Sequence, residues 1–474
     1  MPENKLRGIV FPKSKKTSGM TIIPMEVPDM VYIPMKQAPG EVYLPIASPG
    51  DRVKLGQLIA EAGSPRCAPI HSSVSGEIVS IDTLAANRDA DELYIKIRTD
   101  GRQDLHESVV PPRIRSSYEF FEVVRSSGLL NFGRDRTPLS TVLENAADAK
   151  VDTLIVNGTE SEPFLSAGGM NMLSFPGFMK DGALAIMEHL GLNRGIFAVG
   201  SDKKPAMEAL KKELAGENRL ELYSVRDYYP NGFDTVLIKE VTGKLLPPGK
   251  KPADLGILIL DCGSVIKLGQ LLDTGLPLVS RSITVDGDAI ARPMNVEVPI
   301  GTHVTDLIAF CGGEKAPIRK IIIGGPITGR TIENSNYSVG KDDSALLCFS
   351  ELYAKDTAES SCIRCSRCAA VCPMDLMPMR IMDAVRRSDG RAFSKLSAFS
   401  CIGCSACSYA CPARIRLSER IMKAVAYFKN AGKAEGSAYP SLSSNSARVA
   451  SVGTADANGA PSARRKGKGG RNAG

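Results

Sequence analysis

The sequence contains no tryptophan, and phenylalanine and tyrosine bring the aromatic share to only 5%. A surface that stacks nucleobases needs rings interleaved with basic residues, so nucleic acid is not an expected partner. Histidine is almost as scarce. His71, His106, His189 and His303 are the only four, and they form no ligand spacing. No apolar run approaches the ~18 to 20 residues that a membrane-spanning helix requires; Leu255–Leu260 and Ile321–Ile323 have the length of core strands. The N-terminus opens on charged residues and Pro2 rather than on a basic stretch followed by an apolar block. No secretory leader is therefore expected, and the cytoplasm is the expected compartment.

What is present is a long chain of ordinary composition, 43% hydrophobic and 23% charged. At 474 residues it exceeds the size at which one core keeps growing, so several domains are expected. The formal charge of +7 is concentrated near the ends, at Lys13, Lys15 and Lys16 and at Arg464, Arg465, Lys466, Lys468 and Arg471. Solvated solubilising tails are the plain reading of these clusters, and contact with an anionic membrane surface is the alternative.

Residues 1–30 read as an N-terminal arm. From 31 to 110 short strands are broken by turn residues: Val42–Ile46, the turn Ser48-Pro49-Gly50-Asp51, Val53, Leu58–Ala60, Ala68-Pro69-Ile70 and Ser75–Val79. The pattern is similar to the barrel-sandwich fold of biotinyl and lipoyl domains, without the lysine that carries their cofactor. From 111 to 250 strands alternate with helices, at Thr153–Asn157, after Gly168, at Ile196–Val199, from about Pro205 and at Leu220–Ser224. That alternation predicts a Rossmann-like parallel sheet covered by helices. Residues 251–345 predict a small β-grasp module of SLBB type, with strands Ser282–Val285 and Val296–Pro299 and a helix Val304–Phe310. In 346–432 cysteine motifs lie between helices. Ser418 is placed to cap the last of these and Gly432 to close it, with Leu417, Ile421, Val425 and Phe428 on one face. Residues 433–474 lack periodicity and read as a disordered basic tail. The fold class is multidomain α/β plus β, ending in a helical two-cluster ferredoxin domain.

The chemistry is carried by eight of the twelve cysteines. Cys362, Cys365, Cys368 and Cys372 form CxxCxxCxxxC before Pro373, and Cys401, Cys404, Cys407 and Cys411 repeat it before Pro412. Thiolates at these intervals let one short loop wrap three corners of a 4Fe–4S cubane. In two-cluster ferredoxins the fourth cysteine of each run ligates the other cluster. The expected sets are Cys362, Cys365, Cys368 and Cys411 for one cluster, and Cys401, Cys404, Cys407 and Cys372 for the second. Structural zinc favours isolated CxxC pairs, and disulfides do not suit a reducing compartment. A cluster that merely braces the fold is the remaining alternative, although a brace needs one cluster and two make a wire. Small residues within the loops, Ser366, Ala369, Ala370, Gly403, Ser405 and Ala406, leave room for main-chain N–H groups to approach cluster sulfides. Cys67, Cys262, Cys311 and Cys348 are scattered and read as buried thiols.

Taken in order, these segments resemble the RnfC family, a component of the Rnf ion-translocating electron transport complexes. The likeness runs over about residues 20–430. It rests on Val53-Lys54-Leu55-Gly56-Gln57, Ala68-Pro69-Ile70-His71-Ser72, Asn157-Gly158-Thr159-Glu160-Ser161-Glu162-Pro163, Val298-Pro299-Ile300-Gly301-Thr302 and Gly324-Gly325-Pro326. Similar domains occur in the flavin-binding subunit of respiratory complex I and in cobalamin reductase. The resemblance implies an α/β domain that holds FMN and meets NADH through a GxGGAGFP loop. The matching stretch here runs from Gly128 to Pro138 and keeps only Gly128 and Gly133. Leu130 and Phe132 would obstruct a flavin phosphate and Asp135 would repel it, while Arg134 and Arg136 offer a different anion contact. Gly168-Gly169 replace an acidic pair of the family, and Tyr229-Pro230-Asn231-Gly232-Phe233 departs from its Tyr-Pro-Gln-Gly-Gly phrase. Gly128, Gly133, Glu160 and Glu162 are the candidate flavin-pocket residues, the two glutamates being equally suited to capping a helix or a turn. FMN and NADH binding is accordingly expected to be weakened or lost, with electrons entering from a partner.

The resemblance implies a peripheral iron–sulfur subunit on the cytoplasmic face of the membrane, within an ion-translocating oxidoreductase. Its partners would be integral membrane and ferredoxin-like subunits, with ferredoxin or NADH as redox partner. The alternative is a soluble flavin and iron–sulfur reductase of the cobalamin reductase type. A third reading is a scaffold whose clusters are not turned over.

Overall fold

The computed structural model describes residues 7–434, apart from 13–14, 36, 38–42, 65–66, 88–89, 134–135, 333–334 and 355–357. The basic C-terminal residues and Lys13 lie outside the described residues.

The barrel sandwich consists of two sheets. One orders the strands Met30–Pro34, Ala90–Thr99, Gly76–Asn87 and Arg52–Val53; the other orders Tyr43–Pro45, Leu58–Ala62 and Ile70–His71. Alternate residues Ile33, Ile59, Ile70, Ile78, Ile95 and Ile97 point inward and are essentially inaccessible to solvent. Gly76–Asn87 and Ala90–Thr99 form one long hairpin where the sequence suggests a short strand at Ser75–Val79. Gly76 begins it because a Cβ there would lie 2.1 Å from the Arg98 carbonyl oxygen.

In the α/β unit, the strands Leu220–Val225, Arg194–Gly200, Thr153–Gly158 and Ile257–Asp261 lie in that order, all parallel. Leu154, Ile155 and Val156 are buried on both faces of this sheet, as a central parallel strand requires. Pro205 stands in the first turn of helix Lys204–Glu213, where its missing N–H has no partner to lose. The last strand and the helix Cys262–Thr274 complete this layer, so the sheet extends past the boundary expected at 250. The short run Ile257–Asp261 reads equally well as the start of the next module, and only its pairing with Thr153–Gly158 assigns it.

The β-grasp-like sheet orders Ile22–Pro24, Met294–Pro299, Ser280–Asp286, Ala345–Phe349, Lys320–Ile323 and Arg330–Ile332. Helix Val304–Phe310 buries Val304 and Leu307 against Ile283, Val285, Val296 and Val298. Ile22–Pro24 pairs in parallel with Met294–Pro299. The N-terminal segment is therefore a strap and not a free arm. Arg7 pairs with Asp375 at 3.1 Å, Ile9 exchanges main-chain hydrogen bonds with Tyr229, and Asn295 donates to the Thr17 carbonyl at 3.0 Å.

The ferredoxin unit packs helices Pro378–Arg386, Gly390–Lys395 and Leu417–Ala434 around Ile381, Phe393, Ile421 and Phe428. Leu417, Ile421, Val425 and Phe428 share the buried face, as expected. Ser418 lies inside the last helix, and its N–H donates to the Ser408 hydroxyl at 2.9 Å, so it is not the cap. Gly432 does not end that helix, which runs on to Ala434.

Candidate functional site

The two cysteine loops repeat one backbone conformation. Ser366 and Ser405 both stand left-handed, at φ 60° and 59°, before the one-turn helices Arg367–Ala370 and Ala406–Tyr409. Arg364 and Gly403 are left-handed one position before the second cysteine of each loop, at φ 54° and 66°. In the first loop the Arg364 N–H donates to the Cys362 sulfur at 3.4 Å.

Cys362, Cys365 and Cys368 line a cavity of about 680 Å³, and Cys411 from the second loop lines it with them. On the other side, Cys407 is buried beside Cys401, Cys404 and Cys372. Burial first, then repulsion from these sulfurs, pushes the Cys407 thiol up to about 12. Bound iron reverses that logic, because a coordinating thiol is deprotonated by the cation. Among the described residues no three His, Cys, Asp or Glu side chains converge closely enough to hold a single metal ion. The four thiols around a broad cavity suit a cubane better than a mononuclear centre.

The loops differ in what covers them. Cys404 is buried against Tyr229 and Phe233 of the α/β unit, with Ile402, Ile9 and Phe11 completing the cluster. The Tyr229 hydroxyl donates to the Cys404 carbonyl at 2.5 Å. Cys362 and Cys365 face solvent.

A second cavity opens at the C-terminal ends of Thr153–Gly158 and Ile257–Asp261, the switch point where ligands bind in open α/β sheets. Its volume is about 220 Å³, below the ~300 to 1,000 Å³ usual for small-molecule sites. The Phe132 ring lies in it under the Arg281 guanidinium, 3.4 Å from centroid to carbon. Arg281 is fully buried, which lowers its pKa, and it is opposed by the nearby Asp261. Both helix N-termini that face this cavity carry a carboxylate of the chain itself. Glu160 accepts from Gly168 N at 2.7 Å and Gly169 N at 3.1 Å, at the start of Ala167–Ser174. Asp261 accepts from Gly263 N at 2.8 Å and caps Cys262–Thr274. Such N-termini are where a phosphate would sit, and these are already filled by anions.

The four candidate flavin residues are thus not gathered in one pocket. Glu160 and Glu162 line the cavity, but Glu162 is turned to Ile327 N at 2.9 Å and to Thr328, holding the turn after Gly324. Gly325 is required there, since a Cβ would fall 2.0 Å from a Glu162 oxygen. Gly128 lies away from the cavity and offers its carbonyl to the buried Lys341 at 3.0 Å. Gly133 does not line it either, and Leu130 is buried in the core. Arg136 is paired with Asp342 at 2.8 Å, while Arg134 and Asp135 lie outside the described residues. The residues present do not fit FMN. Asp261, Arg281 and the anchoring role of Tyr229 carry no sequence signal. Cys67, Cys262, Cys311 and Cys348 are buried, as expected.

Comparison with known proteins follows the same division of the chain. The RnfC barrel sandwich hybrid domain matches residues 4–102, the Nuo51 FMN-binding domain 124–270, the SLBB domain 282–331 and the 4Fe–4S dicluster domain 361–415. The RnfC component of the Na(+)-translocating ferredoxin:NAD(+) oxidoreductase complex of Acetobacterium woodii is 32% identical, over 81% of this chain and 87% of that protein. Its counterpart in the proton-translocating ferredoxin:NAD(+) oxidoreductase complex of Clostridium ljungdahlii is 35% identical, over 78% and 82%. The corresponding component of the ion-translocating oxidoreductase complex of Rhodobacter capsulatus is 30% identical, over 82% and 77%.

Proposed function

The chain belongs to the RnfC family of ion-translocating oxidoreductase complexes and is an electron-transfer subunit of that kind; we propose that it holds two 4Fe–4S clusters in crossed ligation and exchanges electrons with neighbouring subunits rather than with NADH. Cys362, Cys365, Cys368 and Cys411 would hold one cluster, and Cys401, Cys404, Cys407 and Cys372 the other. Such clusters, when bound, supply one-electron transfer. The left-handed residues Arg364, Ser366, Gly403 and Ser405 turn each loop so that its thiols face inward. Tyr229, Phe233 and Phe11 shield the second loop from water and fix it on the α/β unit.

The observation that carries this reading is the cavity shared by Cys411 and the first motif. Anaerobic iron and sulfide analysis with EPR tests it: about eight irons per chain are expected for two clusters, and zinc in their place sinks the reading.

The fold of an FMN-binding domain is retained, whereas the small cavity and the two carboxylates at its helix N-termini argue against a bound flavin phosphate. The same features weigh against a soluble flavin-dependent reductase of the cobalamin reductase type. The partners on this reading are the other subunits of the same complex, membrane-integral ones and ferredoxin-like ones. Among the described residues no helix is long and apolar enough to cross a membrane, so attachment at the cytoplasmic face would be peripheral, through those partners.

A further inference from the structure

The two loops carry matching sequences, Cys362-Ile363-Arg364-Cys365 and Cys401-Ile402-Gly403-Cys404, in matching conformations, yet only the second is covered. Ile402 packs with Tyr229, Phe233 and Ile9 against the α/β unit. Its counterpart Ile363 is 68% exposed, and Met377 beside it is 40% exposed. The first loop therefore shows to solvent the same apolar knob that the second buries in an interface. Arginines frame that knob. Arg364, Arg380 and Arg386 line the cavity mouth, with Asp383 as the single acidic side chain there. Arg386 leans on Asp383 at 3.4 Å, whereas Arg364 and Arg380 have no ion pair among the described residues. Over residues 358–430 twelve Lys and Arg stand against five Asp and Glu.

We propose that the mouth of the first cluster, centred on Ile363 and Met377 and framed by Arg364, Arg380 and Arg386, is the docking surface for an acidic iron–sulfur protein that exchanges electrons with this cluster. This rests on the crossed-cluster reading above. An apolar centre lets the two redox centres approach closely, and a like-signed rim steers an oppositely charged partner while adding little to raw affinity. The burial of the second loop leaves the first as the pole of the pair that a partner reaches.

The test uses the full chain with both clusters assembled anaerobically, and as probe a small acidic two-cluster ferredoxin in reduced form. Stopped-flow reduction of the clusters is expected to slow about tenfold or more between low and high salt. An Arg380→Glu, Arg386→Glu variant is expected to lose about tenfold at low salt, with Arg380→Lys, Arg386→Lys close to the parent. Reduction by photoreduced deazariboflavin, which is uncharged, is expected to stay the same in all three. A salt-independent rate with the acidic ferredoxin, or an unaltered rate in the glutamate variant, overturns the docking surface. Failure of deazariboflavin to reduce the clusters, or their absence, overturns the crossed-cluster reading instead.

Discussion

The Tyr229 hydroxyl donates to the main-chain oxygen of Cys404 at 2.5 Å, joining the switch-point side of the α/β unit to the middle of the second cysteine loop. The bond is buried, and the Tyr229 ring contacts Phe11 and Phe233 at 5.5 Å and 5.8 Å between centroids. One side chain thus seals the second cluster loop and ties it to the body of the protein.

Replacing Tyr229 by Phe keeps the ring and removes the hydrogen bond. The expected loss is about 1 kcal/mol in chemical unfolding, with a change in the EPR signal of the second cluster only. Tyr229→Ala also opens a cavity among Phe11, Phe233 and Ile402 and should cost about 3 to 5 kcal/mol. Equal stabilities for the parent and the Phe variant would show that the bond is not formed in solution.

Crossed ligation makes a prediction that ligation within each motif does not. Cys411→Ser should empty the first site, whose other ligands are Cys362, Cys365 and Cys368, while leaving the Cys401, Cys404 and Cys407 site loaded through Cys372. Iron should fall from about eight to about four per chain. The surviving EPR signal should be the one that the Tyr229 variant perturbs. Loss of that signal instead would mean that each motif serves its own cluster.

How much of this is legible in the sequence depends on the distance over which residues act. The cysteine spacing, the parallel α/β alternation and helix Val304–Phe310 are local patterns, and each is present in the structure. The Phe132–Arg281 stack joins residues far apart in the chain, as do the pairing of Ile22–Pro24 with Met294–Pro299 and the Tyr229–Cys404 bond. Such contacts leave no periodicity, so in sequence the strap reads as an arm and the α/β sheet loses its last strand. The weakening of the flavin pocket is legible as missing glycines in the loop Gly128–Pro138. Its physical form is not, because Gly168 and Gly169 act by giving room to Glu160, eight and nine residues earlier.

Glu160 accepts two main-chain N–H groups at a helix start, so Glu160→Ala should destabilise the protein by about 1 to 2 kcal/mol in urea unfolding. The purified parent protein should show no stoichiometric flavin absorbance, and NADH should not bleach its clusters. A flavin band at one equivalent, or bleaching by NADH, would show that the cavity opens around a phosphate after all.

His71 gives a pH dependence of definite sign. It is buried, its Nδ1 has no hydrogen-bond partner among the described residues, and the Lys341 ammonium lies nearby. Burial first and Lys341 second lower its pKa to about 3 from 6.5. The unfolded chain therefore binds a proton below pH 6.5 that the folded chain refuses until about pH 3. Stability from this group is fully present above the unfolded value and is lost as pH falls through the window between the two. The slope has an upper limit of about 1.4 kcal/mol per pH unit. Substituting His71 by Leu removes the group without adding a charge. The difference in unfolding free energy between parent and His71→Leu should move in favour of the variant as pH is lowered from 6.5 towards 5, and level off above about 7. A difference that stays constant across that range would mean that the imidazole reaches solvent in the folded protein.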